Sequence, residues 1–118
     1  MSKTITAQTP DFPIPAGHAL RVWHFVDADG TEECSSFDMT AYDECSILFA
    51  PAEDGQNLVN VSIVGGFTPA QSNDVLDQHG RPIVVGDGIY NVGSMVRYLR
   101  PVRAVGSGSV YLYAFRKA

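Results

Sequence analysis

The sequence predicts an all-β fold, a single-domain β-sandwich of jelly-roll-like form carrying an extended N-terminal arm. Three observations lead there. Short apolar or period-two runs recur between turn signals about every ten residues. The 118 residues hold six Phe, five Tyr and one Trp beside eleven Gly and seven Pro, so aromatics demand burial while glycine and proline interrupt long helices. No segment carries a sustained apolar period of 3.6 residues, which excludes parallel α/β folds, whose crossovers need helices. A chain of this length, 45% hydrophobic and 18% charged, builds one core, so the reading is an arm over residues 1–16 and a sandwich over 17–118.

The arm comes first because Pro10, Pro13 and Pro15 block helix and sheet interiors, leaving an extended run across a surface. Ile5, Phe12 and Ile14 give it apolar anchors that free solvent would not reward, so it is expected to dock, either on its own domain or on a neighbouring subunit. From Gly17 the pattern changes. Residues 18–26 place Leu20, Val22, His24 and Val26 on one face and Ala19, Arg21, Trp23 and Phe25 on the other, both largely apolar, as in a central strand.

Asp27-Ala28-Asp29-Gly30 reads as a tight hairpin turn. The same letters resemble the start of a calcium loop, but Thr31 and Asp38 stand where acidic ligands and a final Glu are needed. Cys34 and Cys45 lie in matching Glu-Cys-Ser phrases, predicting two paired strands joined by a turn near Thr40–Asp43, with both thiols buried and free. Residues 58–64 alternate, with Val59, Val61 and Ile63 on one face and Asn60 and Ser62 on the other. Residues 68–78 are expected to form a long loop or one short helix. Residues 89–92, 96–100 and 110–115 read as closing strands, separated by Gly93-Ser94 and by Gly106-Ser107-Gly108. The last alternates Val110, Leu112 and Ala114 against Tyr111, Tyr113 and Phe115, an aromatic stripe suited to a second core face, a ligand platform or an interface.

Charge is polarised along the chain: residues 1–80 hold twelve acids against Lys3 and Arg21, whereas residues 81–118 hold Asp87 against six bases, within a net charge of −5. That balance disfavours nucleic acid and anionic membranes as partners. Two arrangements fit the basic segment. Its arginines pair with acidic neighbours inside the domain, or Arg97, Arg100 and Arg103 emerge together as a cationic patch that forks onto a partner's carboxylates.

Enzymatic signatures are missing: there is no phosphate loop, no GxSxG elbow, no HExxH and no zinc-pair spacing among His18, His24, His79 and the two cysteines. The expectation is a non-enzymatic protein with no cofactor and no metal. The start of the chain has neither the charged flank nor the apolar run of a secretion signal, predicting synthesis in a cytoplasm without secretion.

The closing third carries a resemblance. Gly88-Ile89-Tyr90-Asn91-Val92-Gly93, then Val96-Arg97-Tyr98-Leu99-Arg100-Pro101-Val102, then residues 106–117 with their glycine turn and final hydrophobic strand, resemble the C-terminal part of small tailed-bacteriophage capsid decoration, or cement, proteins. The likeness covers about thirty residues. It implies a virion structural protein on the outside of a capsid, bound to the major capsid protein, stabilising contacts between capsid subunits, and self-associating as a dimer or trimer. In that setting Ile5, Phe12, Ile14, Arg97, Arg100, Arg103, Tyr111 and Tyr113 are the candidate interface residues. A carbohydrate- or receptor-binding β-sandwich, and another virion part such as a head–tail or tail-associated subunit, are the competing expectations.

Overall fold

The computed structural model describes the backbone of residues 3–5 and residues 16–31, 34–51, 58–86, 88–93 and 96–116 in full. Among the described residues there are nine strands: β1 (Lys3–Ile5), β2 (His18–Asp29), β3 (Phe37–Asp38), β4 (Glu44–Pro51), β5 (Ser62–Gly66), β6 (Asn73–Asp74), β7 (Ile89–Asn91), β8 (Tyr98–Val102) and β9 (Val105–Phe115). They form a five-stranded sheet in the order β1-β2-β9-β4-β7 and a four-stranded sheet in the order β3-β8-β5-β6. All neighbours pair antiparallel.

From β2 onward every connection passes between the sheets except β5 to β6, which stays within the smaller one. Eight strands wound so that β2-β9-β4-β7 faces β3-β8-β5-β6 form a jelly roll, as the turn spacing predicted. Pairing first with last explains why the two longest strands, β2 and β9, run side by side: their ladder joins His18 to Phe115 at one end and Asp29 to Val105 at the other.

The core lies between the sheets and follows strand alternation. Trp23 and Phe25 from β2, Cys45, Ile47 and Phe49 from β4, and Val110, Leu112 and Ala114 from β9 point inward against Phe37, Ile63, Ile83 and Leu99. Fully burying each large aliphatic or aromatic side chain here stabilises the fold by about 1.5–3 kcal/mol. Arg21 closes one rim, its guanidinium 5.8 Å from the Trp23 ring centroid and 5.3 Å from that of Phe37, tying β2 to the opposite sheet through cation–π contacts.

Several local expectations are corrected. Asp27–Gly30 is not a hairpin turn: β2 continues to Asp29, with a bulge between Phe25 and Ala28. Asp27 there takes a φ of 51° and its N–H donates to Ser107 Oγ at 3.0 Å. Gly106-Ser107-Gly108 is not a turn but part of β9. A Cβ on Gly108 would stand 2.6 Å from the Ala50 carbonyl oxygen, so glycine marks a close strand approach rather than a reversal. The segments bearing Cys34 and Cys45 do not pair. β3 and β4 belong to different sheets, and the bend between them is held by Tyr42 N–H to Met39 O at 2.9 Å and Asp43 N–H to Phe115 O at 3.0 Å.

Val59 leaves the predicted alternation because Asn60 adopts a φ of 59°, which reverses the side-chain sequence and leaves Val59 exposed. Residues 68–78 contain no helix; they carry β6 and short bridges to residues 82 and 92. Lys3–Ile5, drawn as arm, are extended but join the sheet as its edge, with Ile5 opposite His24. The rest of the arm, with Phe12 and Ile14, lies outside the described residues.

Candidate functional site

Alternation that sends Val110, Leu112 and Ala114 inward sends Tyr111, Tyr113 and Phe115 outward, where all three are half-buried. The aromatic stripe is therefore not a second core face. Pairing sets its neighbours, since directly opposed residues of antiparallel strands share a face. Val22, Tyr111, Leu48 and Ile89 form one row straight across the five-stranded sheet. Leu20, Tyr113, Ser46 and Asn91 form the next, and His18, Phe115 and Glu44 the one beyond.

Exposure rises along the first row, from 4% at Val22 to 38% at Leu48 and 68% at Ile89. The apolar surface thus opens toward the β4–β7 edge. Leu48 and Ile89 were not among the sequence candidates, because residues 44–51 read as a continuous apolar strand whose two faces could not be told apart without its partners.

The two histidines of β2 also lie on this face. His18 Nδ1 and Tyr113 Oη share a hydrogen bond at 2.6 Å, and His24 Nδ1 and Ser109 Oγ share one at 2.5 Å. The His18 ring stacks on Phe115 with centroids 5.9 Å apart and leans on Tyr113 at 5.4 Å. Ser46 Oγ donates to Asn91 Oδ1 at 2.8 Å, joining β4 to the edge strand. The result is a sheet face of rings and aliphatic side chains crossed by a few tethered polar groups.

The three candidate arginines do not gather. Arg97 and Arg103 stand beyond opposite ends of β8, roughly 20 Å apart at about 3.3 Å per residue. Arg97 Nε lies 3.6 Å from Asp38 Oδ1, both side chains about half exposed, and its guanidinium covers the Tyr98 ring at 5.0 Å. Such a surface pair contributes about 0–1 kcal/mol. Arg100 donates to the carbonyls of Pro69 at 3.0 Å and Gln71 at 2.8 Å and to Ser72 Oγ, fastening the 67–72 loop to β8. Arg103 occupies the β8–β9 turn with a φ of 59°.

Titratable groups add two constraints. Asp38 is held below the usual carboxylate range by the Thr40 hydroxyl and N–H and then by Arg97. Asp77 is lowered by the N–H groups of Arg81 and His79. Both carboxylates therefore favour the fold above the ordinary aspartate pKa, a contribution lost as pH falls through their depressed values. Among the described residues no group of three or more His, Cys, Asp or Glu is placed to hold a metal ion.

Cys34 and Cys45 are buried thiols not joined in a disulfide, and burial pushes the Cys45 thiol up to about 12 from an ordinary 9.0. Protonated in the fold yet ionisable in the unfolded chain, it stabilises the native state below about pH 9 relative to high pH, and this contribution disappears as pH climbs toward 12. Ellman's reagent at pH 8 is expected to leave Cys45 untouched in native protein and to titrate it fully in denaturant. Rapid native labelling of Cys45 would show that the space between the sheets is open.

No family model, curated protein or solved structure matches the chain.

Proposed function

We propose that the protein is a non-enzymatic virion structural component, a decoration protein that lays the outer face of its five-stranded sheet on the outside of a phage capsid shell and braces neighbouring major capsid subunits. The observation that carries this reading is the outward row Tyr111, Leu48 and Ile89, apolar side chains on a rigid sheet and increasingly exposed toward one edge. Apolar area of this kind contributes about 25 cal/mol per Å² on burial before association costs. The closing strands that supply Tyr111, Tyr113 and Ile89 are also those that resemble decoration proteins. Ile5 sits at the far edge of the same sheet, and Phe12 and Ile14 follow it in the sequence as further apolar candidates for contact. Association as a dimer or trimer would multiply weak single contacts through effective concentration.

The test is co-migration with purified shells lacking the protein, followed by size-exclusion chromatography with light scattering. Wild-type protein is expected to saturate the shells. The Leu48→Glu/Ile89→Glu double variant, altered only at exposed positions, is expected to keep its melting temperature and to bind at least tenfold more weakly. Full binding by that variant would remove the sheet face from the interface, and a wild-type monomer that ignores shells would overturn the decoration reading.

The cluster of His18, Tyr113 and Phe115 rings favours a second reading, a carbohydrate-binding module that stacks a sugar on this face. A glycan array answers it: binding lost on Tyr113→Ala, together with no affinity for shells, would select it.

A further inference from the structure

Winding eight strands into a jelly roll brings the β2–β3, β4–β5, β6–β7 and β8–β9 connections to one end of the sandwich. An open groove of about 690 Å³ lies there, and each of the four connections lines it: Gly30 from the first, Asn60 and Val61 from the second, Val84 and Val85 from the third, and Arg103 from the fourth. We infer that this groove is a docking site for an extended segment of a partner protein that carries a Glu or Asp between aliphatic residues. The site is separate from the sheet face described above.

Three observations support that occupant. First, the lining is of two kinds. Val61, Val84, Val85 and Val105 supply apolar walls, with Val84 46% exposed, while Asn60, Ser62 and Arg103 supply the polar groups. A mainly apolar cleft with a few placed polar groups is the usual form of a recognition site, and the mouth of a barrel is a usual place for one.

Second, Arg103 is the groove's cation and makes no ion pair with any described residue. Asp29, the acid beside Gly30, turns Oδ1 to the Thr31 N–H and hydroxyl. A guanidinium presents a planar fork that fits a carboxylate with two parallel hydrogen bonds, so the complementary ligand is a carboxylate.

Third, the arginine is in a costly place. Arg103 has a φ of 59°, a left-handed conformation that glycine or asparagine adopts with less strain. Asn60, across the groove, has the same φ of 59° but is a residue suited to it. An arginine at the turn position is thus explained by its side chain and not by the backbone. The groove is open rather than enclosed, which suits a chain segment better than a sequestered small molecule.

The experiment titrates ¹⁵N-labelled full-length protein with an acetylated, amidated Thr-Val-Glu-Val-Thr peptide, with its Gln counterpart, and with N-acetylglutamate amide. Saturable shifts confined to Gly30, residues 60–62, residues 84–85 and residues 103–105 are expected, with the Glu peptide bound at least tenfold more tightly than the Gln peptide. Arg103→Gly should erase that difference while leaving the melting temperature unchanged or raised, because glycine relieves the left-handed backbone. Arg103→Asn, which also tolerates that backbone, serves as an independent second variant. Equal affinity for the Glu and Gln peptides, an unchanged preference in both variants, or no localised shifts would overturn the proposal. N-acetylglutamate amide binding as tightly as the peptide would do so too, since it would make the groove a small-carboxylate site.

Discussion

Trp23→Ala is expected to cost about 3–5 kcal/mol of folding stability, a large fraction of the roughly 5–15 kcal/mol available to a domain of this kind. Trp23 is fully buried between the sheets, opposite Val110 on β9. Its Nε1–H donates to the Ser35 carbonyl at 3.2 Å and its ring lies beneath the Arg21 guanidinium. Alanine would leave a cavity that two sheets, each held by its own ladder, can close only in part. It would also strip Arg21 of one of its two rings. Trp23→Phe separates these effects, because it retains most of the packing and removes the N–H donor, with an expected loss near 1–2 kcal/mol. Denaturant midpoints at unchanged slope provide the measurement. A loss below about 1 kcal/mol for alanine would show that the ring is not the packing centre of the sandwich.

Gly65→Ala is expected to be of similar size for a different reason. Gly65 lies in β5 opposite Leu99, and a Cβ there would stand 2.0 Å from the Tyr98 carbonyl oxygen and 3.1 Å from its carbonyl carbon. Those are backbone atoms of an adjacent strand that is itself paired on both sides, so nothing flexible can move away. The expected loss is about 3 kcal/mol or more, at or above the usual range for overpacking, with precipitation in place of soluble protein as the extreme form. Gly80→Ala is the control. Its φ is +78° but no atom lies within 4 Å of the added Cβ, so it should lose only about 1 kcal/mol from backbone strain. Equal effects at the two positions would show that conformational freedom, rather than close approach, is what the glycine at 65 provides.

The candidate residues are legible in proportion to how local their geometry is. Tyr111, Tyr113 and Phe115 could be placed on one face because alternation in a long strand needs no partner to be read. Whether that face was core or surface was not legible, since it depends on which side the second sheet occupies. Leu48 and Ile89 have no local signal because they join the stripe only through the β9–β4 and β4–β7 registers. Arg97, Arg100 and Arg103 look like a cluster at a spacing of three, which would place them together on a helix. On a strand the same spacing alternates faces and extends the set along its axis. The groove has no linear signature at all, for its residues come from four connections and two adjoining strand ends spread over more than seventy positions.

By itself the sequence determined the all-β class, the sandwich, the two faces of β2 and β9 and the burial of Cys34 and Cys45, because these follow from side-chain period, turn chemistry and hydrophobicity, which act over a few residues. Tertiary structure alone decided that β2 runs on to Asp29, that Gly106 and Gly108 lie within β9 instead of a turn, that Cys34 precedes β3 of one sheet while Cys45 lies in β4 of the other, and that Arg100 is used inside the fold. Each of those outcomes depends on a neighbour far along the chain whose backbone closes a ladder or whose carbonyl offers a partner. Local propensity is worth about 1 kcal/mol per residue or less. It yields wherever a long-range ladder and a shared core reward the alternative.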